Sequence, residues 1–156
     1  LDHQPVSAYR SADSTFYGLE AKLTRRVNLP GGDDLEFRLQ GDLVRGDFDQ
    51  GGHLPRIPPA RTGAGLAYYE NNWSLDISVM RAFDQSRTTV NEQSTGGYTA
   101  LSFYADYHVD LGANELLLFI KGSNLLDEEI RNHTSFLKHY APEPGRSVRV
   151  GIRFSH

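Results

Sequence analysis

Apolar and polar residues alternate with a period of two along most of this chain. Between Tyr17 and Leu29, the residues Tyr17, Leu19, Ala21, Leu23, Val27 and Leu29 share one face, with Arg25 the exception. Glu20, Lys22, Thr24, Arg26 and Asn28 share the other. Successive side chains of a strand point to opposite faces, so this pattern predicts a half-buried β-strand. The same reading predicts strands at Leu35 to Phe48, at the small, Gly-rich Arg61 to Glu70, and at Trp73 to Asp84. Further strands follow at Tyr98 to Asp110, Glu115 to Leu125 and Arg146 to His156. In the last, Val148, Val150, Ile152 and Phe154 alternate with Arg149, Gly151, Arg153 and Ser155. The expectation is an all-β chain of about seven antiparallel strands.

The connections alternate in length. "PGGDD", "NN" at Asn71 and Asn72, and "LGAN" are short; in the first two, Gly and Asn are expected to take left-handed backbone. "DQGGHLPRIPP", "QSRTTVNEQSTGG" and the stretch from Leu126 to Gly145 are long. Short turns at one end and long loops at the other are the habit of bacterial outer-membrane barrels. Strands of about ten residues or more also suit a tilted crossing of the hydrocarbon layer. Aromatics fit two interfacial girdles, with Trp73 and Tyr107 beside short turns and Tyr17, Phe48 and Phe83 beside long loops. A soluble β-sandwich, whose polar face would be its outside, is the competing architecture.

Composition narrows the choice. Hydrophobic residues make up 38% and no run of about 18 apolar residues occurs, so no transmembrane helix is expected. A formal charge of −4 argues against a nucleic-acid partner, which wants a basic face. The absence of cysteine excludes a disulfide scaffold and Cys-based zinc sites. No G-x-S-x-G, H-E-x-x-H or phosphate-binding glycine motif is present, so an enzyme is the least favoured class. The opening "LDHQPVSAYRSADSTF" has no signal-peptide pattern.

The last forty residues carry a family likeness. "GSNLLDEE" is similar to the segment that ends the penultimate strand of TonB-dependent outer-membrane receptors, and "PGRSVRVGIRFS" is similar to their closing strand. "RNHTSFLKHYAPEPGR", between them, resembles most the subgroup that includes zinc-importing receptors. "STFYGLEAKL" is similar to a G-x-E strand of these barrels.

The resemblance implies a barrel of about 22 strands filled by an N-terminal plug domain. About seven strands cannot close it, so residues 1–156 read as the C-terminal part of such a barrel. The first and last strands are then expected to have partners outside this sequence, unless the piece takes a smaller closed form. The implied partners are the rest of the barrel and its plug, the TonB complex through the N-terminal part, and outer-membrane lipid and lipopolysaccharide. Arg45 and Arg81, on the apolar side near the outer rim, are candidates for lipopolysaccharide phosphates. No covalently bound cofactor is expected; the transported nutrient would be zinc, with haem or an iron chelate as alternatives, and a non-transport β-barrel or β-sandwich binding module is the competing class.

On this reading Val148, Val150, Ile152 and Phe154 face lipid, while Asp106, His108, Arg149 and Arg153 face the lumen and plug. The long loops are extracellular, and they hold the candidate metal ligands His53, His133 and His139, with His3 in the outer N-terminal stretch. Neutral imidazole is a good zinc ligand, and Asp127, Glu128, Glu129 and Glu143 lie nearby in sequence. His156 stands where such barrels end in an aromatic residue, and reads as the start of an appended tag.

Overall fold

The computed structural model describes residues 11–155. Over them runs one antiparallel sheet: β1 (Ser14–Asn28), β2 (Asp34–Phe48), β3 (Arg61–Glu70), β4 (Trp73–Ala82), β5 (Tyr98–Asp110), β6 (Glu115–Ser123) and β7 (Ser147–Ser155). Each strand pairs with the next, in the order β1 to β7. The alternation locates all seven. It overshoots at four ends, at Leu29, Asp84, Leu125 and Arg146, and misses Ser14 to Phe16 at the start of β1. After Ala82, Gln85 pairs with Thr95 inside a loop. After Ser123, Asn124 turns left-handed with φ of 49°. β7 begins at Ser147; His3 and His156 lie outside the described residues.

The register joins like with like. Leu19 pairs with Leu43, Leu23 with Leu39, Phe37 with Leu66, Leu66 with Ile77, Ile77 with Phe103, Ile120 with Val150 and Leu118 with Ile152. Arg26 pairs with Glu36, Asp42 with Arg61, Ser74 with Asp106 and Lys121 with Arg149 on the other face. Apolar residues therefore run as one sheet-wide surface, from Leu19, 72% exposed, to Val150, 77% exposed. An apolar sheet face must be buried against something. Among the described residues no second sheet or helix covers it, which overturns the sandwich reading. The smaller closed form is overturned too, because β1 pairs only with β2 and β7 only with β6.

The turns follow two rules. Gly31 and Gly32, at φ of 120° and 99°, take the left-handed backbone expected of them, and Gly112 in the "LGAN" turn lies there too, at 81°. Asn71 and Asn72 do not, and that expectation is corrected: non-Gly residues of positive φ among those described are Arg56, Asn91, Asn124 and Asp127. The "NN" turn uses Asn72 for its carbonyl, which accepts from the His108 N–H at 2.6 Å. One girdle residue also moves. Phe48 pairs with Ser14 and shares the face of Gly46 and Asp42, not that of Leu43.

Buried side chains lie mostly outside the sheet. Leu54, Gln85, Thr95, Asn124, Ile130, His133 and Lys138 are all buried, and all belong to the three long connections. A single-layer sheet has no inside of its own, so the packed core sits at one end, where these loops meet.

Candidate functional site

The three long loops, residues 49–60, 83–97 and 124–146, leave the same end of the sheet because every strand is antiparallel to the next. Each first folds on itself. In the first loop, His53 bridges back to Asp47, and the Leu54 N–H donates to the Gly46 carbonyl at 3.0 Å. Gly46 lies on the polar face, and Leu54 and Ile57 press against it: a Cβ there would meet their methyl groups at 3.0 and 2.9 Å. In the second loop, Gln85 and Thr95 exchange two backbone hydrogen bonds, of 3.0 and 3.1 Å.

The third loop is pinned at its base by the "GSNLLDEE" segment. Buried Asn124 donates to the Glu128 and Pro144 carbonyls and accepts from the Glu128 N–H. Asp127 accepts from the Arg146 N–H at 2.9 Å and is paired with its guanidinium. Both residues have positive φ, which Asn and Asp tolerate better than most side chains. This accounts physically for a motif that sequence similarity alone had marked: it joins the two ends of a long excursion.

The loops then dock on one another through polar groups. Gln85 donates from the second loop to the Ile57 and Pro58 carbonyls of the first. Arg87 reaches Asp47 at 2.8 and 3.0 Å. Thr95 Oγ1 and His133 Nδ1 meet at 2.9 Å, joining the second loop to the third. Glu92 touches all three: it accepts from the Arg56 N–H at 2.9 Å, from the Thr89 N–H at 3.3 Å and from Lys138 Nζ at 2.8 Å. His133 Nε2 stands 3.4 Å from the same carboxylate. The Lys138 ammonium is nearly equidistant from the two imidazole nitrogens, at 3.5 and 3.4 Å. Burial, and then the charge of Lys138, holds the His133 imidazole below its ordinary value. Burial raises the Glu92 carboxyl, but the Lys138 hydrogen bond and the two backbone N–H donors outweigh it, leaving a net lowering.

These positions change the reading of the histidines. His133 is 1% exposed and engaged by Thr95, Lys138 and Glu92. His53 is held by Asp47 at 2.6 Å, and His139 is exposed. Among the described residues no group of three or more His, Cys, Asp or Glu is set to hold a metal ion. The expected metal-binding set of His53, His133 and His139 with neighbouring acids is therefore not assembled. Asp127, one of those acids, is occupied with Arg146. The network centred on Glu92 escaped the sequence reading, because its members are up to 46 residues apart and share no periodicity.

A crevice of about 370 Å³ opens where the loops meet, lined by Arg56, Val90, Glu92, Phe136, His139 and Tyr140 among others. The Arg56 guanidinium lies 3.8 Å from the centre of the Phe136 ring.

On the sheet, Asp106, His108, Arg149 and Arg153 fall by register on the polar face, and Val148, Val150, Ile152 and Phe154 on the apolar one. Charges on the polar face are chained: Arg26 to Glu36 at 2.9 Å, Glu36 to Arg38 at 3.3 Å, and Arg38 to Asp76. The Arg38 side chain crosses over Gly65, where a Cβ would come within 2.8 Å of its guanidinium. At the short-turn end His108 pairs with Glu115 and lies 3.6 Å from Asp106. On the apolar face Arg81 donates to Thr99 Oγ1 at 3.1 Å, and Arg45 pairs in register with Tyr17.

Residues 2–125 match the family described as TonB dependent receptor-like, beta-barrel. The chain belongs to that family, which is one of receptors and not of enzymes. Its fold is similar to a solved structure of the copper transporter OprC, with TM-score 0.74 and 22% sequence identity over 90% of this chain. The chain spans 23% of the length of that structure. The family match ends at Leu125, short of the stretch from Arg131 to Arg146 that carries the likeness to zinc importers.

Proposed function

We propose that residues 1–156 are the C-terminal part of the barrel of an outer-membrane TonB-dependent transporter importing a scarce nutrient. The observation that carries this reading is the sheet itself. An apolar face seven strands wide, with no protein layer over it among the described residues, suits a medium that is itself apolar. Val148, Val150, Ile152 and Phe154 then contact lipid, and Arg45 and Arg81 lie where lipopolysaccharide phosphates would be. Asp106, His108, Arg149 and Arg153 line the lumen opposite the plug, and the rest of the barrel continues from β1 and β7. Energy reaches the transporter through TonB at its N-terminal part, and the cap of long loops faces the exterior.

For the cargo, we favour a transition-metal ion. The likeness of the stretch from Arg131 to Arg146 supports zinc, and the name of the copper transporter OprC supports the same class of cargo. Of the three candidate histidines, His139 is the one whose exposure suits a first encounter with a metal. The test is growth of cells with and without the full-length gene under limitation for zinc, copper, iron or haem in turn. A requirement confined to zinc supports the proposal; one confined to copper keeps the class and changes the metal. Dependence on haem or an iron chelate redirects it, and no dependence on any of them refutes it.

A further inference from the structure

The loop cap has an unequal construction. Many contacts join two of the long loops, but the Glu92 carboxylate joins all three: Arg56 of the first, Thr89 of its own, and Lys138 with His133 of the third. The ion pair is sheltered, with 8% of the Glu92 side chain and 6% of the Lys138 side chain exposed. A sheltered pair that loses one partner leaves the other charge buried and uncompensated, which is costly. The cap also leans over the polar side of the sheet, where Leu54 and Ile57 cover Gly46.

We infer that Glu92 is the keystone of a lid: it locks the three long loops into one body over the polar-face mouth, so that they open together and not one by one. The inference rests on loop geometry and holds whatever the cargo is. It also sets an order of dependence. Removing the carboxylate unties both outer loops from the junction and leaves only the pairwise contacts of Gln85 with the first loop and of Thr95 with His133. Removing the Lys138 ammonium weakens only the hold on the third loop, because Arg56 and Thr89 still hold Glu92.

The experiment uses the full-length receptor in outer membranes, with one cysteine introduced at a time as its only thiol. Leu54→Cys reports on the first loop and Ile130→Cys on the third, both buried positions; Ser94→Cys is an exposed reference. A membrane-impermeant thiol reagent reads their accessibility, and retention of heat-modifiable migration shows that the barrel is assembled. In the Glu92→Ala background, which leaves no acceptor for Arg56 or Lys138, labelling at both buried probes is expected to rise several-fold together, relative to Ser94→Cys. In the Lys138→Met background, only the Ile130 probe is expected to rise. Protection of either buried probe in Glu92→Ala overturns the lid. So does an equal response of both probes, or of neither, in Lys138→Met. That second background decides alone if Glu92→Ala does not assemble.

Discussion

His133 shows how little a residue's identity says about its role. A histidine in a long polar loop, with acids around it in sequence, reads as a metal ligand. Packed between Thr95, Lys138 and Glu92, it is a buried hydrogen-bonding group instead. Its depressed protonation has a definite sign. The neutral ring is the one the cap accepts, so its contribution is fully present above the ordinary imidazole value of about 6.5. It is lost as the pH falls through the lower, folded value, because the opened loop binds the proton more readily. The lowered Glu92 carboxyl acts in the same direction at more acid pH. Labelling of Ile130→Cys, normalised to Ser94→Cys, is therefore expected to rise between about pH 7.5 and about pH 5, and to lose that rise in His133→Gln. Glycine can be as specific as histidine. The tip of the Phe119 ring lies against Gly151, where a Cβ would clash with its Cζ and Cε atoms. Gly151→Ala forces the ring aside, at a cost of about 1–3 kcal/mol by analogy with overpacked cores. A lowered midpoint in urea unfolding of the lipid-inserted receptor checks it.

At the scale of one strand, the two faces of β7 should respond oppositely to charge. Val150 pairs with Ile120 near the middle of the strand, on the apolar face. Val150→Arg is expected to cost about 2–4 kcal/mol, the range for a basic residue at the midplane of a lipid-facing strand. The same change at Phe154, near the strand end, should cost about 0–1 kcal/mol. Lys121 and Arg149 face each other on the polar side, so Arg149→Gln removes a like-charge neighbour and should be nearly neutral. Refolding into lipid vesicles across a urea series measures all three. A Val150→Arg cost no larger than that of Phe154→Arg would refute the lipid-facing assignment.

At the scale of the whole molecule, the sheet is an arc with two free edges. β1 and β7 each present one row of backbone groups without a strand beside it among the described residues. In lipid each unsatisfied group costs several kcal/mol. Residues 1–156 produced alone are therefore expected not to give a heat-modifiable, detergent-resistant barrel, whereas the full-length receptor should. A closed, stable species from the isolated chain, seen by electrophoretic mobility and circular dichroism, would mean that β1 and β7 can meet.

The sequence by itself determined the strands, their two faces and the alternation of short and long connections. Those follow from a period of two, which is a local property: each residue's face is set by its neighbours in the chain. It also marked Asn124 and Asp127, whose bonds reach only as far as the two ends of one loop. Three features were decided by the tertiary structure alone: the burial of Lys138, the engagement of His133, and the junction of three loops at Glu92. Those contacts link residues 36, 38 and 46 positions apart, and no local pattern encodes them. The loops meet because the meander brings every second connection to the same end of the sheet, and a carboxylate sheltered there must find its partners wherever the chain supplies them.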